Sequence, residues 1–199
     1  TIKVIDAGDN NGLRAIGDRA LAALKSNSDP QADQKAWLGF LDLLKTYRTR
    51  QPVNGAIVVI SLADLMSPDP TERLNHARAI RQRLNELYDS FGIRVPVYVL
   101  FTKVDLVPGF VEYFDGLGKA DREQVWGMTY PLDDGSAENA GVVTLFPQEL
   151  EALIARLNER LLERVQQESD IDRRGLVFNF PNQVASLGDA MLEVLTEIF

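Results

Sequence analysis

Two short apolar runs with a helical stretch between them constrain the fold of this chain more than any other feature. The runs occupy residues 55–61 and 95–101, and both are rich in β-branched residues without polar alternation. That pattern is typical of strands buried on both faces of a parallel sheet. Between the runs, apolar residues recur at helical spacing at Leu74, Ala77, Ile80, Leu84 and Leu87. Strand, helix and strand in this order predict a βαβ unit and therefore an α/β fold.

Further helical patterns lie on both sides of this unit. Apolar residues at helical spacing predict four more helices, over residues 13–24, 32–47, 147–167 and 181–199. The long pattern that ends near residue 167 is the strongest of them, with six apolar residues on its inward stripe. Helices are therefore expected to flank the sheet and to follow it.

Two segments between these helices have weaker strand patterns. Residues 124–130 fit an edge strand, and residues 176–180 fit either a short strand or an extended connector. We expect residues 1–145 to form an α/β domain, whose mostly parallel sheet is flanked by helices. Residues 146–199 are expected to form a helical C-terminal extension.

Charge and composition exclude several classes of function. The 199 residues include 29 Asp and Glu against 21 Lys and Arg, a formal net charge of -8, which disfavours binding to nucleic acids or anionic membranes. The absence of cysteine excludes disulfides, thiolate metal sites and cysteine nucleophiles. His76 is the only histidine and is interpreted as an exposed helical residue. The apolar runs are far shorter than the roughly 20 residues that span a bilayer, so we expect a soluble chain.

The strongest candidate site comes directly after the second apolar run. Thr102, Lys103 and Asp105 lie where the predicted strand ends, and ligands of open α/β sheets bind at the carboxyl ends of strands. An aspartate there can accept hydrogen bonds from a guanine edge, while a lysine stem packs over the ring. The alternative is that Thr102 caps a turn and that the charges of Lys103 and Asp105 are simply solvated.

A phosphate-binding loop is missing from the sequence. A nucleotide enzyme needs a glycine-rich loop that offers backbone N–H groups and a lysine to the phosphates, yet no G-x-x-x-x-G-K-[ST] sequence occurs. The nearest glycines lie among aspartates, which would repel phosphate: Gly8, Gly12 and Gly17 near Asp6, Asp9 and Asp18. Base recognition without phosphate recognition makes a poor nucleotide site.

Other candidate residues have stronger structural explanations. Ser61 and Asp64 come after the first apolar run and could lie at the same sheet edge, but a helix N-cap or loop acceptor is the favoured interpretation. The aspartates at 133–134 precede a glycine and fit a turn better than a metal site. Trp37 and Trp126 could anchor a partner, although a core position is favoured for Trp37.

Several segments taken together resemble one family. They occur in the family's order, at residues 36–44, 48–55, 61–65, 97–110 and 124–130. In these segments the chain resembles the cytoplasmic domain of IcmF/TssM proteins, which are inner-membrane components of bacterial type VI secretion systems, with type IV relatives. The resemblance extends over about residues 29–199.

This resemblance implies a P-loop GTPase-like fold and a role as a cytoplasmic scaffold domain of a type VI secretion membrane complex. The implied partner is a DotU/TssL-type inner-membrane protein, and flanking transmembrane segments would anchor the full protein. Candidate contact surfaces are the C-terminal helices and the arginine-rich face of the helix at 71–90, which could meet an acidic partner. That face carries Arg73, Arg78, Arg81 and Arg83.

The resemblance also leaves a second function open, that of an NTPase switch. Thr102, Lys103 and Asp105 would then be an ancestral base-recognition site, and ATP or GTP with Mg²⁺ would bind the full-length parent. No cofactor, metal site or catalytic residue is expected in the chain itself, because it has no P-loop.

One junction departs from the family pattern. Residues 13–25 look like the helix that precedes the P-loop, and residues 28–30 look like the segment just after the switch motif. We therefore predict that a segment carrying the P-loop is missing near residues 25–28. We also expect the chain to be a piece of a longer protein.

Overall fold

A computed structural model describes residues 2–4, 30–50, 52–67, 69–118, 126–130 and 141–199. Three expectations lie outside these residues. They are the helix at 13–25, the missing segment near 25–28 and the aspartates at 133–134. Of the edge strand predicted at 124–130, only residues 126–130 are described, and they are not in a strand.

The described sheet is small. Its strands are β1 (Ile2–Val4), β2 (Ala56–Ser61) and β3 (Val97–Thr102), in the order β1-β2-β3. β1 pairs antiparallel with β2, placing Ile2 opposite Val58. β2 and β3 run parallel, so the two apolar runs form the predicted parallel pair.

Helices make up most of the described residues. They are α1 (Pro30–Tyr47), α2 (Leu62–Leu65), α3 (Pro70–Phe91), α4 (Phe110–Phe114), α5 (Val142–Gln167), α6 (Ile171–Ser186) and α7 (Gly188–Ile198). A 3₁₀ turn at Val104–Leu106 lies between β3 and α4. The helices predicted from apolar spacing at 32–47, 71–90 and 147–167 are confirmed as α1, α3 and α5. The single helix predicted at 181–199 is wrong, because that range holds the end of α6 and the separate helix α7. Across the described ranges, no helix combines the length and the apolar character needed to cross a membrane.

The predicted fold class is wrong. A P-loop GTPase-like, mostly parallel sheet flanked by helices is not found, because the described chain is mostly helical and β2 and β3 are its only parallel pair. The segment at 176–180 lies inside α6 rather than in a strand or connector. A short apolar run cannot distinguish a strand from a buried helix by periodicity alone. Val177 and Phe180, three residues apart, are both fully buried, as one face of a helix requires.

The described chain divides into two compact units, and the first comprises residues 1–59 and 80–100. Its core consists of buried residues from α1, α3 and the segments before β2 and β3: Leu44, Val53, Leu87 and Val95. Trp37 and Phe40 pack against this core, their ring centroids 6.1 Å apart. The core position favoured for Trp37 is therefore confirmed, with the side chain partly buried.

The second unit comprises residues 60–79 and 101–199, and an aromatic cluster lies in its core. The ring of Phe180 lies 5.1 to 6.3 Å from its neighbours, which are Phe110, Tyr113, Phe114 and Trp126. The Tyr113 hydroxyl donates a 2.7 Å hydrogen bond to the Leu157 carbonyl, so its buried polar atom is satisfied. The cluster thus joins α4 to α5 and α6.

The domain boundary at 145/146 stays a prediction.

Candidate functional site

The segment Thr102 to Asp105 begins at the last residue of β3. The Thr102 hydroxyl reaches across to the neighbouring strand, and its Oγ1 lies 3.4 Å from the Ile60 carbonyl oxygen. This hydrogen bond joins the carboxyl ends of the two parallel strands. The candidate residues therefore lie at the sheet edge where ligands of parallel sheets bind. Thr102 does not cap a turn here, because its hydroxyl bonds to the other strand.

Lys103 has an unusual backbone. With φ 59° and ψ 34°, it is the one non-glycine residue with positive φ in the ranges that the structure covers. A side chain in this left-handed region costs on the order of 1–2 kcal/mol. The conformation reverses the chain into the 3₁₀ turn, which closes with the Leu106 amide donating to the Lys103 carbonyl at 3.1 Å. Lys103 and Asp105 are both exposed, and strain of this kind clusters at functional sites.

The end of β2 contributes a second unusual feature. Ser61 occupies the N-cap position of α2, as the favoured interpretation predicts, but its side chain makes no capping hydrogen bond. Its Oγ is buried and has no hydrogen-bond partner among the described residues. A buried hydroxyl without a partner costs about 1–3 kcal/mol. Asp64 lies on α2 with an exposed side chain and is not at the N-cap.

Two chemically different exposed side chains lie at this edge of the sheet. The exposed Asp105 offers a hydrogen-bond acceptor and the exposed Lys103 a long apolar stem with a cation, whereas the Ser61 hydroxyl is buried at the end of β2. The 3₁₀ turn also contacts α2, so the segments that come after the two strands lie together. Thr102 ends β3, and Lys103 and Asp105 come directly after it. That they recognise a nucleotide base stays a prediction.

The arginine-rich face of α3 is largely engaged within the chain. Arg73 donates to Glu193 of α7 at 2.7 Å, and Arg78 donates to Glu197 at 3.2 Å. Arg83 pairs with an acidic neighbour on α3 at 2.8 Å, and its guanidinium lies 5.9 Å from an aromatic ring centroid of α1. These three arginines contribute to internal packing. They are therefore weaker candidates for an acidic partner than their sequence pattern indicates.

An exposed apolar face on α6 is a surface that the sequence pattern did not single out. Ile171 and Phe178 are 80% and 58% exposed and lie seven residues apart, on the same side of the helix. Gly175 lies between them, and a Cβ added there would have no atom within 4 Å. We call Ile171, Gly175 and Phe178 the α6 outer face. Its sequence signal is a pair of large apolar residues outside the buried stripe of the helix.

Comparison with known proteins places the chain in a family. Residues 30–199 match the model of the IcmF-related N-terminal domain. Over 173 residues, 87% of this chain, the sequence is 51% identical to the type VI secretion system component TssM1 of Pseudomonas aeruginosa, and the match spans 16% of that relative. No solved structure matches the chain. The chain therefore belongs to the IcmF/TssM family, as its sequence motifs predict.

Proposed function

We propose that this chain is a cytoplasmic interaction domain of a type VI secretion membrane complex, which docks a DotU/TssL-type partner through the α6 outer face. The observation that carries the proposal is the exposure of Ile171 and Phe178 on one side of one helix. Membership of the IcmF/TssM family supports the type VI secretion context.

The chemistry of the α6 outer face favours a protein partner. Fully burying a large apolar side chain gains about 1.5–3 kcal/mol, which α6 does not obtain for these two residues within the described chain. Gly175 leaves room for a partner's backbone to approach the helix closely. Aromatic side chains buried at an interface often supply much of its binding energy. Phe178 is thus the expected anchor.

Aspartate substitutions on the α6 outer face test this proposal. We expect Phe178→Asp and Ile171→Asp each to weaken binding to the purified soluble domain of a DotU/TssL-type protein by about tenfold or more, because a charge would have to be buried at the interface. Isothermal titration calorimetry would give both affinities. Tyr47→Asp is the matched control, since Tyr47 is 69% exposed on α1 and lies outside the proposed surface.

Two results would contradict the proposal. One is an unchanged affinity in both α6 variants, with thermal unfolding showing that they are folded. The other is an equal loss of affinity in the Tyr47→Asp control, which would show a general effect of added negative charge.

A second candidate function is the NTPase switch. It is favoured by the strained, exposed Lys103 and the exposed Asp105 directly after β3. For the base of ATP or GTP, Asp105 would supply the hydrogen-bond acceptor and Lys103 the stem over the ring. The residues present do not fit the phosphates and Mg²⁺, because the sequence contains no P-loop. A complete switch would need that loop from a segment that the sequence lacks.

Replacing Asp105 separates the two functions. If the edge recognises a base, Asp105→Ala is expected to weaken the binding of a fluorescent GTP or ATP analogue by about tenfold, because hydrogen bonds to a carboxylate are lost. The affinity for the protein partner should stay unchanged. Asp64→Ala is the control, since it removes an exposed carboxylate from α2. If the unmodified chain binds neither nucleotide, or if Asp105→Ala has no effect, the switch is rejected for this chain.

A further inference from the structure

Arg73 connects three parts of the second unit. Its Nε and one terminal nitrogen both donate to Glu193 Oε2 of α7, at 3.1 and 2.7 Å. Its other terminal nitrogen donates to the Leu65 and Ser67 carbonyls, at 3.3 and 3.2 Å. Both carbonyls belong to the segment that comes after β2. One guanidinium therefore holds the C-terminal helix and this segment at once.

The segment at 62–67 is short and depends on contacts with the rest of the unit, among them those of the buried Leu62 and Leu65 side chains. It consists of the four-residue helix α2 and the turn after it, and so short a helix is unstable without outside contacts. At its end, the Met66 amide donates to the Leu62 carbonyl at 3.0 Å and the Ser67 amide donates to the Asp64 carbonyl at 3.3 Å. Arg73 adds two further bonds to this segment, and their donor is charged, which strengthens a hydrogen bond of given geometry.

The Arg73 bonds to this segment depend on Glu193. The Arg73 side chain is only 14% exposed, whereas that of Glu193 is 38% exposed. Without the carboxylate, the guanidinium would be a mostly buried cation with no counter-charge, which is unfavourable. It would gain hydration by turning towards water, and it would then lose its bonds to the Leu65 and Ser67 carbonyls.

We infer that Arg73 is a clamp through which α7 controls the order of residues 62–67. When α7 is docked, Glu193 holds the guanidinium against the two carbonyls. When α7 moves away, the clamp opens and the segment loosens. This segment lies at the carboxyl end of β2 and contacts the 3₁₀ turn that contains Asp105. The clamp thus links the C-terminal helix to the candidate ligand edge, whichever of the two proposed functions holds.

Hydrogen–deuterium exchange of two matched variants tests the clamp. Glu193→Ala is expected to accelerate exchange at the Met66 and Ser67 amides by about tenfold, the effect of losing one charge-assisted hydrogen bond. Glu197→Ala is the control. It removes a carboxylate one turn further along α7, which pairs with the more exposed Arg78. Exchange in residues 62–67 should stay unchanged in this control.

Arg73→Lys provides a second variant that keeps the positive charge. An ammonium group cannot span Glu193 and both carbonyls, so this variant is expected to reproduce the faster exchange at 62–67. Protection of residues 142–167 in α5 serves as the measure of intact folding. The inference is overturned if Glu193→Ala leaves Met66 and Ser67 protected, or if Glu197→Ala loosens them equally. It is also overturned if Arg73→Lys preserves their protection.

Discussion

Replacing Gly109 by alanine is expected to destabilise the chain by about 3 kcal/mol or more. Gly109 has φ 90°, a backbone conformation that favours glycine, and it precedes α4. A Cβ added there would overlap the Leu176 carbonyl oxygen, so backbone would have to move. Strain and steric overlap therefore act together. Urea unfolding followed by circular dichroism would measure the change in the free energy of unfolding.

Gly175→Ala is the matched control for this substitution. Gly175 lies in α6, and a Cβ there would meet open space. Alanine should stabilise the helix at this position by roughly 0.5–1 kcal/mol, because it restricts the unfolded chain and favours helical backbone. A Gly109→Ala variant as stable as the unmodified chain would contradict the close approach of α4 to α6.

Phe180→Ala is expected to cost about 3–5 kcal/mol of unfolding free energy. Phe180 is fully buried, and its ring contacts four other aromatic rings from α4 and the segment at 126–130. Its removal would leave a cavity that these rigid side chains cannot fill completely. The same urea titration measures the loss. A change in near-ultraviolet circular dichroism should accompany it, since Trp126 and Tyr113 would lose a packing partner.

Phe178→Ala is the matched control two residues away on α6. Its side chain is more than half exposed, so we expect a change of less than about 1 kcal/mol. Equal destabilisation by the two substitutions would contradict the orientation of α6. It would also remove the basis for the α6 outer face as a docking surface.

Local patterns in the sequence predicted much of the secondary structure. In α1, α3 and α5, apolar residues recur at helical spacing over several turns. A repeat of that length does not fit the two-residue alternation of a strand. The two β-branched runs became β2 and β3 within two residues of the predicted ends. The error at 176–180 has a local cause as well. Residues 176–180 mix apolar and polar side chains in a pattern that fits either a strand or a helix. Asp170 is the N-cap of α6 and accepts hydrogen bonds from the Asp172 and Arg173 amides, which favours the helix.

The candidate ligand edge was predictable in position but not in detail. Thr102 to Asp105 had to lie at a strand end, because the motif directly succeeds an apolar run. The left-handed backbone of Lys103 and the unpartnered hydroxyl of Ser61 had no sequence signal. Both depend on how the chain reverses after β3 and on what surrounds the end of β2.

The sequence by itself determined the helices α1, α3 and α5, the two strands of the parallel pair, where the candidate motif lies and which family the chain resembles. These properties depend on residues that are close together in the sequence, so their spacing can be read from it directly. Only the tertiary structure decided how large the parallel sheet is and which charges are already paired. Arg73 and Glu193 are 120 residues apart in sequence, yet they meet because α3 and α7 pack together. Partners so distant are selected by the packing of whole elements, which no local pattern encodes.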